Sequence, residues 1–339
     1  MRFDNPIYSH GFTFPDIANF PDTFDQPVFF DTNESDYDLH LMRNCIQEKN
    51  GPRFINLLNK YYQGPKSLRG NILKYFQHVT EFADTRVNMD MPDNQVHESL
   101  YEQGVWSTYL DTSTMQQLAM PIADQLLEQP DWQPPPGIFD RLQKAPKQLV
   151  REVKEQFTET GILQGATKYL SRGRNLKVSH VVIHVATPTD SNWKQFLYDC
   201  DTVTRTTHLH IDPKEDVVKS MIYLNDIDRH SGAFSYIPYS NRWIHDPLQE
   251  VFGRAITTGS YCHNKESRAP IFNLPSHLRV SYNFGRTLLD NDVQQQMLLD
   301  QEVYYESEQA NCVVFDPAGM HRGGQCTTGN RIALQVIMK

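Results

Sequence analysis

The chain has 339 residues, enough for one large domain or two smaller ones. Hydrophobic residues make up 39% and charged residues 22% of the sequence, a balance typical of a globular protein and not of a disordered one. The formal net charge is -9 and no basic run occurs, so the composition argues against a nucleic-acid partner.

The N-terminal sequence and the cysteines bear on the compartment. MRFDNPIYSHGF lacks the apolar stretch of a signal peptide, and no apolar run reaches the ~18 residues of a membrane span. The 5 cysteines are widely spaced and contain no CxxC pair. We therefore expect a cytoplasmic protein with reduced cysteines and no membrane association. Nothing in the pattern indicates an oligomeric state.

Residues 1–174 are predicted to be mainly helical. Apolar residues at near-helical spacing indicate helical stretches over Tyr37–Lys49, Phe54–Tyr62, Ser113–Glu128 and Pro146–Leu170. Pro121 should kink or split the third stretch, and Gly161 should break the fourth. The proline-rich run Trp132–Gly137 is predicted to be a rigid loop.

Residues 175–339 have the patterns of β-strands. Alternating or β-branched segments, separated by Asp, Gly, Pro and Asn, predict strands over Val178–Ala186, Thr202–Asp212, Val217–Asn225, Ala233–Pro238, Arg279–Gly285, Cys312–Phe315 and Arg331–Met338. Several short strands indicate a sandwich or a barrel. The predicted fold class is α+β, with a double-stranded β-helix (a cupin-like jelly roll) as the core. The helical region packs around this core, and the two parts form one integrated domain.

Three residues with metal-ligand chemistry are predicted to converge. Side chains two apart on a strand share a face, so His210 and Asp212 should point the same way. His321 follows a strand and a turn that can bring it to the same place. Two imidazoles and one carboxylate can bind Fe(II) on one face and leave the other face open. Arg331, which opens the last predicted strand, can hold a dicarboxylate in a two-pronged grip.

Other functions fit parts of this pattern. A His-x-Asp motif alone is expected by chance in a chain of this composition, so the prediction depends on the joint pattern. His208 and His210 have the His-x-His spacing of zinc or manganese cupin enzymes, such as isomerases. A non-catalytic jelly-roll protein that binds a small molecule is the third possibility, although it has no need of Arg331.

Two segments resemble a known family. MIYLNDIDRHSGAFSYIPYSNR is similar to the segment after the first ligand strand of phytanoyl-CoA dioxygenase-like (PhyH) 2-oxoglutarate oxygenases. FDPAGMHRGGQCTTGNRIALQV is similar to their closing segment. The resemblance covers residues 175–339. It implies that His210, Asp212 and His321 are iron ligands and that Arg331 binds the distal carboxylate of 2-oxoglutarate.

The same resemblance implies further roles and a reaction. Tyr223 is expected near the co-substrate, and Thr327 or Thr328 could add a hydroxyl group. The family's Gly-Ser-His loop is Tyr239-Ser240-Asn241 here, which is a departure. The implied enzyme is an Fe(II)/2-oxoglutarate-dependent dioxygenase. It uses O₂ to hydroxylate an unactivated C–H bond of a small polar metabolite, such as a sugar, an amino-acid derivative or a natural product, and releases succinate and CO₂.

Long loops near the predicted metal site are expected to choose the substrate. Residues 187–201 and 239–277 are rich in aromatic and charged side chains, which suit a polar ring or an anionic group. The candidates for substrate contact are Lys214, just after the ligand strand, with Arg242 and Trp243.

Overall fold

The structure is a computed structural model, and it describes residues 35–61, 66–82, 92, 94–129, 140–170, 175–188, 212, 217–242, 248, 251 and 300–339. The chain forms two compact units, one of residues 1–85 with 242–283 and the other of residues 86–241 with 284–339. No helix in these described ranges is long and apolar enough to cross a membrane.

In the first unit, the described residues form helices α1 (Ser35–Gln47), α2 (Gly51–Tyr61) and α3 (Lys66–Phe82). The helices α1 and α2 confirm the first two predicted helices, whereas α3 was not predicted. Phe54 and Phe76 stack with ring centroids 4.3 Å apart. Both rings are buried, and this aromatic pair joins α2 to α3 in a small apolar core.

The described part of the second unit contains four α-helices, all before β3, and nine strands. The helices are α4 (Gln95–Glu102), α5 (Ser113–Leu127), α6 (Lys147–Glu159) and α7 (Ile162–Leu170). The strands are β1 (Val105–Thr108), β2 (Asp140–Lys144), β3 (Val178–Ala186), β4 (Val218–Tyr223), β5 (Phe234–Tyr236), β6 (Val303–Tyr305), β7 (Cys312–Phe315), β8 (His321–Gly323) and β9 (Arg331–Met338). A 3-10 turn covers Ser240–Arg242.

The strands form two antiparallel sheets. The larger sheet has the order β1-β7-β4-β9-β3-β2 and the smaller sheet the order β6-β5-β8. Phe234 and Tyr236 of the smaller sheet share one buried apolar cluster with Tyr223 and Phe315 of the larger sheet, so the two sheets pack face to face. This arrangement confirms the predicted α+β class with a double-stranded β-helix core.

Side-chain alternation gives the larger sheet two different faces. Val181, Ile183 and Val185 of β3 lie in a core that also contains buried residues of α5, α6 and α7. The alternate residues of the same strand, which include His184 and Ala186, point to the opposite face. That opposite face meets the smaller sheet, and we call it the inner face. Among the polar residues on the inner face, Asp140, His184 and Arg331 are buried.

Most of the predicted elements are present. The strands β3, β7 and β9 have the predicted bounds. Gly161 separates α6 from α7 and has a φ of +74°, which favours glycine. Helix α5 runs through Pro121 without division. Three predicted elements lie outside the described residues: the loop Trp132–Gly137, the strand Arg279–Gly285 and the strand Thr202–Asp212, of which only Asp212 is described. Helices α4 to α7 belong to the same unit as the sheets.

Candidate metal and co-substrate site

One turn holds two of the three predicted metal ligands. This turn, between β7 and β8, contains Pro317 and Gly319. The backbone N–H of Asp212 donates to the Pro317 carbonyl at 2.9 Å. The Nδ1 atom of His321 lies 2.8 Å from the Gly319 carbonyl. The turn thereby positions Asp212 and His321 together.

The geometry of His321 suits a metal ligand. A carbonyl oxygen can only accept, so Nδ1 carries the proton and Nε2 presents its lone pair. Nε2 lies 3.4 Å from Oδ2 of Asp212, and the His321 side chain is 6% exposed. Bonds of about 2.0–2.2 Å would let both atoms bind one divalent ion at this separation. The two residues therefore fit the iron that the sequence pattern implies.

Lys219 is a residue of the site that was not predicted. Its Nζ atom lies 2.6 Å from Oδ2 of Asp212 and orients the carboxylate. Lys219 lies two and four residues from Met221 and Tyr223 on β4, which places all three on the inner face. This alternation could have been read from the sequence and would have placed Lys219 on the inner face. Its ion pair with Asp212 could not, because the sequence does not give the position of Asp212 relative to β4.

Aromatic rings surround His321. The ring centroids of Phe315, Phe234 and Tyr236 lie 5.0, 5.9 and 6.4 Å from that of the imidazole. All three aromatic side chains are buried. They exclude water from one side of the ligand and stiffen its position.

The turn is tied to helix α7. The Tyr169 hydroxyl donates to Oδ2 of Asp316 at 2.6 Å, and the Tyr236 hydroxyl donates to the Asp316 carbonyl at 3.1 Å. Asn241 donates to the Tyr169 hydroxyl at 3.0 Å. Burial, with the Asp316 carboxylate nearby, raises the pKa of Tyr236 well above its ordinary value, so this tyrosine stays a donor. The helical region thus contributes directly to the geometry of the ligand turn.

Arg331 is buried on the inner face at the start of β9. Its Nη1 donates to the carbonyls of Gly232 and Gly324, and its Nη2 lies 3.1 and 3.0 Å from the two carboxylate oxygens of Asp140. Nε is buried and has no hydrogen-bond partner among the residues that the structure describes. Gly232 has a φ of +92°, and a Cβ there would lie 2.8 Å from the Gly324 carbonyl oxygen. Only glycine fits beside the guanidinium.

Asp140 joins Arg331 to a buried histidine. Nδ1 of His184 lies 3.4 Å from Oδ2 of Asp140, and both side chains are 9% exposed. Burial alone would raise the pKa of the Asp140 carboxyl, but the Arg331 charge and the His184 hydrogen bond lower it to about 2. Asp140 is therefore ionised at neutral pH. Neither Asp140 nor His184 was predicted as a site residue.

The other predicted co-substrate residues lie in different surroundings. Tyr223 is buried on the inner face, donates to the Tyr305 carbonyl at 2.8 Å and accepts from the Phe234 N–H at 2.9 Å. Burial raises its pKa, so it keeps its proton. Thr327 is exposed and donates to the His230 carbonyl at 3.0 Å.

Several candidate residues are not described. These are His210, Lys214, Trp243 and the side chain of Arg242. Among the described residues alone, no group of three His, Cys, Asp or Glu side chains forms a metal site. The third metal ligand therefore stays a prediction.

The fold and site together define a class of protein. The chain is a double-stranded β-helix with an Asp–His pair held by one turn and a buried arginine at the start of its last strand. The model of the phytanoyl-CoA dioxygenase (PhyH) family matches residues 138–333, which is more than half of the chain. The chain belongs to this family. It is an iron- and 2-oxoglutarate-dependent oxygenase that uses Fe(II), 2-oxoglutarate and O₂.

Two solved structures are similar to this chain at low sequence identity. The carbocyclase SnoK from nogalamycin biosynthesis is 14% identical, with coverage of 73% of this chain and 83% of SnoK and a TM-score of 0.45. EvdO2 from Micromonospora carbonacea var. aurantiaca, complexed with 2-oxoglutarate, is 14% identical, with coverage of 73% and 91% and a TM-score of 0.42. A search of the curated proteins returns no match to this sequence.

Proposed function

We propose that this protein is a dioxygenase that hydroxylates an unactivated C–H bond of a small polar metabolite and releases succinate and CO₂. The observation that carries the proposal is the 3.4 Å separation between Nε2 of His321 and Oδ2 of Asp212. His210 is the proposed third ligand, because it lies two residues before Asp212 on the predicted strand.

The described residues would position the metal ligands and keep water away from the metal site. Bound iron and 2-oxoglutarate supply the oxidising power for dioxygen chemistry, with decarboxylation of the 2-oxo acid. The Gly319 carbonyl holds His321 with Nε2 as the metal-binding atom, and Lys219 orients the carboxylate of Asp212. The surrounding aromatic rings exclude water that would compete for the site.

Arg331 is the proposed binding residue for the distal carboxylate of 2-oxoglutarate. Nη1 donates to the Gly232 and Gly324 carbonyls, and Nη2 donates to the carboxylate of Asp140. The N–H at Nε is buried without a partner in the described part of the chain. Arg331 thus offers this Nε donor directly to the co-substrate.

The substrate proposal depends on the loops. Aromatic and charged residues in 187–201 and 239–277 support a polar substrate, with Lys214, Arg242 and Trp243 as the proposed contacts. We also propose a cytoplasmic location, which is supported by the three described cysteines, Cys45, Cys312 and Cys326, all of them free thiols.

Succinate release tests the reaction. The purified protein would be incubated with Fe(II), 2-oxoglutarate, O₂ and a panel of sugars, amino-acid derivatives and natural products. We expect succinate only when Fe(II) is present, with stimulation by the true substrate. Asp212→Ala and His321→Ala should lose both iron binding and turnover. His180→Ala is the matched control, because His180 is exposed on β3.

Two results would favour the other functions. Iron and ligand binding without any 2-oxoglutarate turnover would contradict the proposal and favour a binding protein. Conversion of a substrate with zinc or manganese, in the absence of 2-oxoglutarate and O₂, would contradict it in favour of a cupin-type isomerase.

A further inference from the structure

The cluster around Arg331 contains more than the arginine. Building on the proposed function, we propose that His184 is the second donor to the distal carboxylate of 2-oxoglutarate and that it binds as an imidazolium. Asp140 is then a positioning residue that holds Arg331 and His184 together. Binding of 2-oxoglutarate should therefore take up one proton from solution.

The register of the larger sheet places these residues around two alanines. Ala186 pairs with Asp140 on one side and with Arg331 on the other. In the next inner-face row, Ala333 lies between His184 and Tyr223. Two alanines therefore occupy the positions between the larger polar side chains. The space above Ala186 holds the Asp140–Arg331 pair, and the small side chain of Ala333 leaves room beside His184 for a ligand group.

Two buried nitrogen atoms in this cluster lack a hydrogen-bond partner in the part of the chain that the structure describes. Nε2 of His184 and Nε of Arg331 are both buried and make no hydrogen bond to any described residue. Buried polar atoms in native structures are almost always hydrogen-bonded, so each such atom indicates a missing group. A carboxylate can accept from both nitrogens, which makes it the ligand chemistry that satisfies them together.

The hydrogen-bonding state of His184 follows from Asp140. The Asp140 carboxylate is ionised and can only accept, so Nδ1 of His184 must carry a proton. In a neutral ring Nε2 is then a bare acceptor, which repels a carboxylate. The ring becomes a donor at Nε2 only when it holds a second proton. The imidazolium is therefore the form that can bind the co-substrate.

The balance of buried charges also favours the imidazolium form of His184 when the co-substrate binds. The positive charge of Arg331 is already neutralised by Asp140, with both side chains buried. A further carboxylate would leave an uncompensated buried negative charge. The other titratable groups toward this cluster from the described strands and loops are Tyr223 and Cys326, with the acids Glu306 and Asp228 beside them. Burial raises the pKa of the Tyr223 and Cys326 side chains, so these two stay neutral, and none of the four groups supplies a positive charge. His184 can supply it by taking up a proton.

Calorimetry measures the proposed proton. 2-Oxoglutarate would be titrated anaerobically into Fe(II)-loaded protein in buffers of different ionisation enthalpy at one pH. We expect the wild type to take up about one proton per 2-oxoglutarate, as linkage requires for a group protonated on binding. His184→Gln should take up none and bind 2-oxoglutarate about 10- to 100-fold more weakly, the loss of one charge-assisted hydrogen bond. His180→Gln, at an exposed position near the start of the same strand, should match the wild type.

The outcomes separate this inference from the proposed function. If the wild type binds no 2-oxoglutarate, both fail. If it binds 2-oxoglutarate without proton uptake, or if His184→Gln has the affinity and proton count of the wild type, only the role of His184 is overturned. Iron binding by His184→Gln verifies that the variant folds. Histidine ¹⁵N spectra of the Zn(II)-loaded wild type need no variant: one imidazole must gain a proton at Nε2 when 2-oxoglutarate is added.

Discussion

Asp140 and Arg331 form a buried ion pair across an intervening strand. Both carboxylate oxygens of Asp140 lie within 3.1 Å of Nη2 of Arg331, although β3 lies between β2 and β9 in the sheet. The residue of β3 that pairs with both is Ala186. Its methyl group is small enough for the carboxylate and the guanidinium to meet above it. The pair therefore depends on the size of a third side chain.

Ala186→Leu should disrupt the pair. The added atoms would lie between the two charged groups, where overpacking typically costs about 1–3 kcal/mol and separation of the buried charges adds to the loss. We expect a lower free energy of unfolding in urea and weaker binding of 2-oxoglutarate. Val182→Leu is the control, since Val182 has the same inner-face parity on β3 and does not lie between charges. Equal stability of the two variants would contradict the role of Ala186.

Acid should weaken the same pair over a defined range of pH. The pKa of Asp140 is lowered from 3.8 to about 2, so its contribution is fully present above about pH 4 and is lost as the pH falls through about 2. The shift corresponds to about 2 kcal/mol. Asp140→Asn should be less stable than the wild type at neutral pH, because Arg331 is then buried without its partner.

The measurement is the difference in unfolding free energy between wild type and Asp140→Asn at several pH values. This difference should shrink by about 2 kcal/mol between about pH 4 and about pH 2. Asp124→Asn, at an exposed position of α5, should show no such change. A difference that stays constant with pH would show that Asp140 is not held ionised by its neighbours.

Three strands of the larger sheet were predictable because their sequences are strongly apolar and β-branched. Val178–Ala186, Cys312–Phe315 and Arg331–Met338 are rich in Val, Ile and Leu, and the structure has strands with those bounds. The short strands β2 and β8 were not predicted. Asp140–Lys144 has an almost fully polar sequence and is a strand because β3 pairs with it. Such an edge strand is determined by tertiary pairing and not by its own pattern.

Spacing in the sequence could predict one part of the candidate site. Asp212 and His321 lie 3.4 Å apart in the structure, and their role as metal ligands stays a prediction. The partners of Arg331 were not predictable from the sequence. Asp140 lies near Arg331 because β2 and β9 both pair with β3, and because the residue between them, Ala186, has only a methyl side chain. The link from Tyr169 to the ligand turn likewise joins distant parts of the sequence. Contacts of this kind follow from the register of the sheet, which the sequence pattern alone leaves undetermined.

Tyr169→Phe should weaken metal binding from a distance. The variant removes the hydroxyl that donates to Asp316 and accepts from Asn241, while it keeps the packing of the ring. The loss of support for the ligand turn should lower iron affinity about tenfold, the lower end of the effect of removing an outer hydrogen bond from a metal site. Anaerobic Fe(II) titration measures the change.

Tyr109→Phe provides the comparison for this prediction. The Tyr109 ring is 58% exposed and its hydroxyl donates to the Glu308 carbonyl, so the removal of that hydroxyl should leave iron affinity unchanged. If Tyr169→Phe bound iron as tightly as Tyr109→Phe, the Tyr169 hydroxyl would not be needed to position the ligand turn.

Glu302 and Arg322 form a second buried ion pair, on the side of the smaller sheet away from His321. Nε of Arg322 lies 2.6 Å from Oε1 of Glu302, whose side chain is 1% exposed. The hydroxyls of Ser235 and Tyr304 also donate to this carboxylate. Arg322 follows His321 on β8, so their side chains point to opposite faces. The pair should therefore support stability without contact to the metal.

Glu302→Gln tests this separation of stability from function. The neutral amide leaves the Arg322 charge buried without its partner, which should lower the free energy of unfolding by about 3–5 kcal/mol. Glu308→Gln, at an exposed position, should change it by less than about 0.5 kcal/mol. Below its unfolding temperature, the Glu302→Gln variant should keep the iron affinity of the wild type, because the ligand turn and Lys219 are unaltered. A loss of iron affinity in the folded variant would show that β8 transmits the change across the sheet to His321.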